Sequence, residues 1–302
     1  MFTSGRQDTV TRCLCRLISR FFLKKITGRT DPKKNREVYL SYHHGIYSPE
    51  RGNHWFMLTT GRTFMEQTRY EHLAISDQTK GRPAPLLEKP AQPDALIIPL
   101  PKPADITVNA QDLRTAIEQR RSTRHYARDP LTLEELAYLC WCTQGIVEVK
   151  SPYYTLRNVP SAGGRHALET WMLINRVSGI QPGLYRYLAF SHSLITIDTT
   201  RGISDAIMSA CLGQAFVRSS AVSFIWSAVI YRMAWRYSER AYRLVHLDAG
   251  HACQNLYLAA EQIGCGTCAI GAFDDQQIAD VLKIDGVEEF VVYCATVGRK
   301  GE

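Results

Sequence analysis

The chain has 302 residues, 45% of them hydrophobic and 22% charged, a balance expected of an ordinary folded domain rather than a disordered or fibrous chain. No apolar run approaches the roughly eighteen residues of a membrane-spanning helix. The formal charge of +7 is local: residues 1–36 carry ten Lys/Arg against two acids, a net of +8, while the rest carries 26 against 27. A nucleic-acid surface spread across the fold is thereby disfavoured.

Within that first segment Arg12, Arg16, Arg20 and Lys24 recur every four residues, opposite Val10, Leu14, Leu17, Ile18 and Phe21. The spacing predicts a basic amphipathic helix, suited to peripheral contact with an anionic membrane, to an acidic partner, to organelle targeting, or to docking on its own protein. A secretory signal is disfavoured because Arg16 and Arg20 interrupt the apolar run. Residues 37–110, with the Pro-rich strip KGRPAPLLEKPAQPDALIIPLPKPAD, read as an extended arm or linker into a main domain over 111–302.

In that domain QDLRTAIEQR (111–120) has helical spacing, and Thr132 with Glu135 forms a capping box for a helix running to about Gly145. Strands are expected at 170–177, 183–187, 193–198, 221–230 and 289–298, and helices at 203–212, at 246–264 closed by Gly264, and at 275–283 capped by Asp274. Helices interrupt strands without a strict βαβ rhythm, so the class expected is α+β. Nine cysteines without framework spacing read as reduced thiols of a cytoplasmic protein.

Two stretches offer chemistry. RRSTRHY (120–126) places three arginines and two hydroxyls in a short span, suited to gripping a phosphate or a carbonyl-rich ring, though a solvated helix end looks the same. NVPSAGGRHALE (158–169) forms a loop with no bulky side chain at Pro160–Gly164, so a flat ring can approach its backbone. It lacks G-x-G-x-x-G, and no strand is expected to lead into it, so it is not a dinucleotide fingerprint.

RRSTRHY, PSAGGRHALE, DAGHACQNLYLAA (248–260) and GAFDD (271–275) occur in that order. Together they resemble the nitroreductase-like flavoenzymes, and in particular the SagB-type dehydrogenase branch that includes azoline oxidases. The resemblance implies an FMN-dependent oxidoreductase with a central, mostly antiparallel sheet flanked by helices, built as a homodimer with the flavin at the interface. It implies that Arg120, Arg121, Ser122 and Arg124 hold the flavin phosphate, ribityl chain and pyrimidine edge. Pro160, Ser161, Ala162, Gly163 and Gly164 would come from the other subunit and lie along the ring. Gly271 and Ala272 would pass backbone near the reactive nitrogen, and Arg299 would be a phosphate ligand. Guanidinium groups near a dianionic phosphate and a ring that becomes anionic on reduction favour both binding and the reduced state.

Azoline oxidases of that branch carry a Lys-Tyr pair where this chain has Arg236-Tyr237. Arginine stays protonated, so Tyr237 is the acid/base candidate with Arg236 as its electrostatic partner; the bland alternative is a basic helix face of Arg236, Arg240 and Arg243. His166 and His251 read as hydrogen-bonding supports before bases, and Asp248 as an orienting group or a helix cap. Cys265 and Cys268, in GCGTC, are expected to pack in the core rather than to form a redox pair, and no zinc-ligand spacing is completed. The implied substrate is a peptide or natural product, with biosynthetic partner proteins. A nitro- or quinone-reductase drawing on NAD(P)H and a flavin-fold scaffold subunit are the competing readings.

Overall fold

The apolar runs of the sequence form a seven-stranded sheet. In the computed structural model, residues 59–301 are described apart from 93, 109, 110 and 152; the basic N-terminal segment and residues 37–58 lie outside the described residues. The chain divides into two units, residues 1–63 and 64–302. Of the first, residues 59–63 are described and open helix α1 (Thr59–Gln67), which continues into the second. All that follows concerns the second unit.

Its strands are β1 (Ile97–Pro99), β2 (Ile146–Ser151), β3 (Tyr154–Arg157), β4 (Leu168–Ile174), β5 (Gly183–Leu188), β6 (Ser193–Asp198), β7 (Val222–Val229), β8 (Cys265–Ile270) and β9 (Glu289–Arg299). The large sheet has the order β1-β6-β5-β4-β7-β9-β8, and β2 and β3 form a separate hairpin. Every pairing between these strands is antiparallel. All seven residues of β4 are buried, as expected of a central strand covered on both faces.

The helices are α2 (Leu113–Gln119), α3 (Leu133–Gln144), α4 (Ile203–Ala210), α5 (Phe216–Ser219), α6 (Ile230–Tyr237), α7 (Ala241–Gln262) and α8 (Asp275–Leu282). The capping box of α3 forms in both directions, with Glu135 N 3.2 Å from Thr132 Oγ1 and Thr132 N 2.9 Å from Glu135 Oε2. Asp274 caps α8 by accepting from Gln277 N at 2.8 Å. Gly264 follows α7 at φ +70°, and its N–H donates to Glu261 O at 3.1 Å. That is the left-handed helix stop glycine supplies without steric cost. One core cluster unites α3, α7 and the sheet face carrying Met172, Phe224 and Trp226. A second lies under α4 and α8 around Trp171, Ile225 and Cys294.

Three expectations are corrected. Helix α7 begins at Ala241, five residues before the expected start at 246, so Asp248 lies inside it and is no cap. The run expected as a strand over 221–230 ends at Val229, and Ile230 opens α6 at once. A strand does precede PSAGG: β3 ends at Arg157, three residues before Pro160.

Residues 82–90 have no regular structure and are fixed by buried arginines. Arg232 Nε donates to Leu86 O at 2.8 Å, Arg157 Nη2 to Leu87 O at 3.4 Å, and Arg186 to Lys89 O and Pro90 O at 3.0 Å each. Glu169 joins the clasp, accepting from Lys89 N at 2.8 Å and pairing with Arg232 at 2.6 Å and Arg186 at 2.9 Å. Burial opposes ionisation of Glu169, but the two guanidiniums outweigh it and hold the carboxyl below its usual range.

Candidate active site

PSAGG is held from below by α7. Ser161 Oγ donates to Asp248 Oδ2 at 2.6 Å, Ala162 N donates to Asp248 Oδ1 at 3.2 Å, and His166 N donates to Ser161 Oγ at 2.8 Å. Burial pushes the Asp248 carboxyl up, against the lowering effect of those hydrogen bonds. The loop turns through left-handed backbone at Gly163 (φ +60°) and Gly164 (φ +63°), where other residues are strained.

The small side of that loop meets the candidate acid/base pair. A Cβ added at Gly163 would lie 2.6 Å from Tyr237 Oη and 2.9 Å from Arg236 Cδ. One added at Gly164 would lie 2.5 Å from the Tyr154 ring. At both positions φ strains any larger residue, and a neighbouring side chain would also have to shift to admit one. The Arg236 guanidinium lies 5.6 Å from the Tyr237 ring centroid. Helix α6 is held in turn by Gln78 N to Trp235 O at 2.8 Å, Trp235 Nε1 to Arg82 O at 2.9 Å and Tyr231 Oη to Asp77 Oδ2 at 3.0 Å. Arg240 and Arg243 are engaged elsewhere. Arg240 donates to Thr68 O at 2.9 Å, and Arg243 donates to Thr68 Oγ1 at 2.5 Å and to Met65 O.

His166 is buried at 5% exposure, with Nε2 3.2 Å from Thr155 O. Burial, with Arg157 adding to it, pushes its pKa down to about 3, so it is neutral at physiological pH. Its backbone sits at φ +42°. His251 is exposed on α7, three residues after Asp248.

RRSTR lies along β8 and the later part of α7. Thr123 N donates to Thr267 O at 2.9 Å, and Ser122 Oγ is 3.1 Å from Tyr257 Oη, which also accepts from Ala269 N at 2.8 Å. Gly266 lets this strip approach, since a Cβ there would lie 2.4 Å from Thr123 Oγ1. The Arg120 guanidinium lies 5.2 Å from the Tyr257 ring and that of Arg124 5.9 Å from Phe216. Arg121 donates to Glu118 O and to Arg120 O, each at 2.7 Å. Among the described residues no carboxylate pairs with Arg120, Arg121 or Arg124.

Gly271 and Ala272 are exposed at the end of β8, with open space where a Gly271 Cβ would be. Gln214 Nε2 holds Ala272 O at 2.8 Å. Arg299 is differently placed: its Nη2 pairs with both oxygens of Glu135 at 2.6 and 2.7 Å, so a phosphate there would compete with that carboxylate. Cys265 and Cys268 are buried in β8, with burial pushing the Cys265 thiol up to about 11 and the Cys268 thiol in the same direction. Thiols so protonated are poor nucleophiles.

Three supports have little signal of their role in the sequence: Asp248 as the loop's anchor, Tyr257 behind RRSTR, and the buried Arg165 directly after PSAGG. Asp248 is marked by its place in the DAGH stretch, and Tyr257 and Arg165 lie in DAGHACQNLYLAA and PSAGGRHALE without a cue to what each supports.

The fold and this site define an oxidoreductase of the nitroreductase class. The Nitroreductase family matches residues 117–299, and the chain belongs to that family. A protein of Methanocaldococcus jannaschii named as a nitroreductase is 34% identical over 190 residues, 63% of this chain and 92% of that protein. The microcin B17-processing protein McbC of Escherichia coli is 23% identical over 160 residues, and the match spans 51% of this chain and 56% of McbC. Among solved structures, one from Anabaena variabilis named as a nitroreductase is 30% identical with a TM-score of 0.57, over 69% of this chain and 42% of that one. A chain of the E. coli microcin synthetase McbBCD complex shares the fold at 17% identity and a TM-score of 0.51, over 93% of this chain and 98% of that one. Among the described residues no helix is long and apolar enough to cross a membrane.

Proposed function

We propose that this protein is a cytoplasmic, FMN-dependent dehydrogenase of the SagB type that oxidises a peptide or natural-product substrate, for example an azoline to an azole. The observation that carries the reading is the seating of Tyr237 Oη and Arg236 on Gly163, which puts the one acid/base pair of the motif set against the flat PSAGG loop. The likeness to McbC, a processing protein, and to a chain of a complex solved with a truncated microcin precursor points the same way. Biosynthetic partner proteins follow from the same likeness.

The residues fit FMN. RRSTR offers three arginines that no described carboxylate neutralises, PSAGG offers a loop whose glycines admit no side chain, and Gly271 has open space above it. Arg120, Arg121, Ser122 and Arg124 would hold the single phosphate and ring edge; Pro160–Gly164 would lie along the ring from the other subunit of a homodimer. FMN held there would supply an acceptor for hydride from the substrate carbon. Tyr237 as its phenolate would take the proton that leaves the substrate, the Arg236 cation stabilising the negative charge its oxygen carries before the transfer, and the glycine loop would keep both side chains at one place.

Two measurements test this. Purified protein should be yellow with FMN rather than FAD, and Arg120→Ala with Arg124→Ala should strip most of it; colourless wild-type protein that cannot be reconstituted would sink the cofactor assignment. With flavin in place, Tyr237→Phe should slow flavin reduction by substrate about 100-fold or more, the scale of a lost acid/base group, while Arg236→Lys keeps activity. Rapid anaerobic bleaching by NADPH or NADH would instead favour a nitro- or quinone-reductase.

A further inference from the structure

Arg165 is a buried cation with no counter-ion among the described residues. Its residue is 4% exposed, and among the described residues its Nη2 has no hydrogen-bond partner. Its other donors reach only backbone carbonyls: Nε donates to Arg232 O at 3.0 Å and Nη1 to Tyr153 O at 3.2 Å. The guanidinium face stacks on the Trp235 ring at 4.7 Å. The buried carboxylates Glu169 and Asp248 have other partners, Glu169 being paired with Arg186 and Arg232 and Asp248 bonded to Ser161 and Ala162.

A buried charge left unpaired is costly, and here its charged neighbours make matters worse. Arg232 and Arg236 lie one helical turn apart on α6, and both act on Arg165 as like charges that, after burial, disfavour its cationic form. Arg236 itself is exposed, makes no ion pair with a described residue, and is fixed by Gly163, with Nε 3.0 Å from where a Cβ would stand. Two guanidiniums that act on each other, one exposed and one buried, thus leave positive charge that no described carboxylate compensates at the loop beside Tyr237. An anion in that place would relieve both.

We propose that the substrate carries an anionic group, a carboxylate or a phosphate, which Arg236 contacts at Gly163 while Arg165 supplies the buried charge that supports it. This rests on the site reading above and adds a substrate class to it. An uncharged substrate would leave the repulsion between the two arginines unrelieved. Arg165 acts through the field and through Arg236, and is a positioning residue.

The test reads binding rather than turnover, so that a wrong assignment of the chemistry leaves it intact. FMN-loaded protein is labelled with 5-fluorotryptophan, the Trp235 resonance is identified by its loss in Trp235→Phe, and benzoate, phenyl phosphate and neutral benzamide are titrated in turn. At least one anion should shift the Trp235 resonance saturably, and benzamide should not; the anion that binds tells carboxylate from phosphate. Arg165→Met and Arg236→Met should each weaken that binding about tenfold or more, as expected on removing one charge of a pair, and Arg165→Lys should retain it. No saturable shift with either anion, equal binding of benzamide, or unchanged affinity in Arg165→Met would overturn the proposal. So would release of flavin by Arg165→Met, which would give this charge to the cofactor.

Discussion

Gly163 shows how one missing side chain organises a site. Its φ of +60° and the 2.6 Å from its would-be Cβ to Tyr237 Oη are separate reasons for glycine. Gly163→Ala should therefore cost more than the roughly 1–2 kcal/mol of a left-handed alanine, and should displace Tyr237 as well. Thermal unfolding and single-turnover flavin reduction should both suffer; a variant destabilised but fully active would show that Tyr237 does not depend on this contact. His166 supplies a pH test at the same scale. Its folded pKa of about 3 lies below the ordinary 6.5, so its contribution is whole above pH 6.5 and is lost as the unfolded chain takes up the proton on acidification. Stability should fall by about 1.4 kcal/mol per pH unit from this group below about pH 6, until its folded pKa is reached. His166→Asn, which tolerates the left-handed φ of +42° better than most residues, should flatten that acid limb in urea midpoints measured from pH 7 to 4. An unchanged limb would place the acid sensitivity in other groups.

Among the elements, α3 is the most self-specified. Thr132 and Glu135 satisfy each other's backbone donors, and Thr132→Ala should cost about 1 kcal/mol in chemical denaturation. Glu135 carries a second load through Arg299, so Glu135→Ala should cost more than Thr132→Ala, and equal losses would show that the ion pair adds nothing. What is legible in the sequence follows the same line. Capping, glycine stops and long apolar strands are local, and β5, β6, α3, α8 and the stop at Gly264 sit close to where the residues put them. The start of α7 is not legible because it carries no cap: Arg240 precedes it with helical backbone and no side-chain capping hydrogen bond. Helix α6 is hidden because it follows β7 without a turn residue, so one apolar run serves two structures. The β2–β3 hairpin does alternate, as Val147-Glu148-Val149-Lys150 and Tyr154-Thr155-Leu156-Arg157, but these apolar side chains are exposed rather than turned to the core, and the runs are short. At the site, the motifs mark the loop and the arginines, but its supports, Asp248 at 86 and 87 residues' separation and Arg165 held by Arg232 O and Trp235, come from tertiary packing.

For the whole molecule, what matters is which residues one chain brings together. Tyr237 and Arg236 seat on the PSAGG loop of their own chain, whereas RRSTR seats on Tyr257 and β8. If the flavin lies in a two-fold interface, its phosphate grip belongs to one subunit, and the loop with its acid/base pair belongs to the other. A C2 dimer then contains two such sites, each composite. Take one chain with Arg120→Ala and Arg124→Ala, and another with Tyr237→Phe. Each homodimer is crippled, the first at cofactor binding and the second at proton transfer. In the heterodimer one site joins the intact RRSTR of the second chain to the intact Tyr237 of the first, and the other site collects every substitution. Random reassortment at equal amounts makes about half the dimers mixed, so about a quarter of wild-type activity should return. Purified heterodimers without activity, or a monomer that turns over at the wild-type rate, would place the grip and the acid/base pair in the same chain.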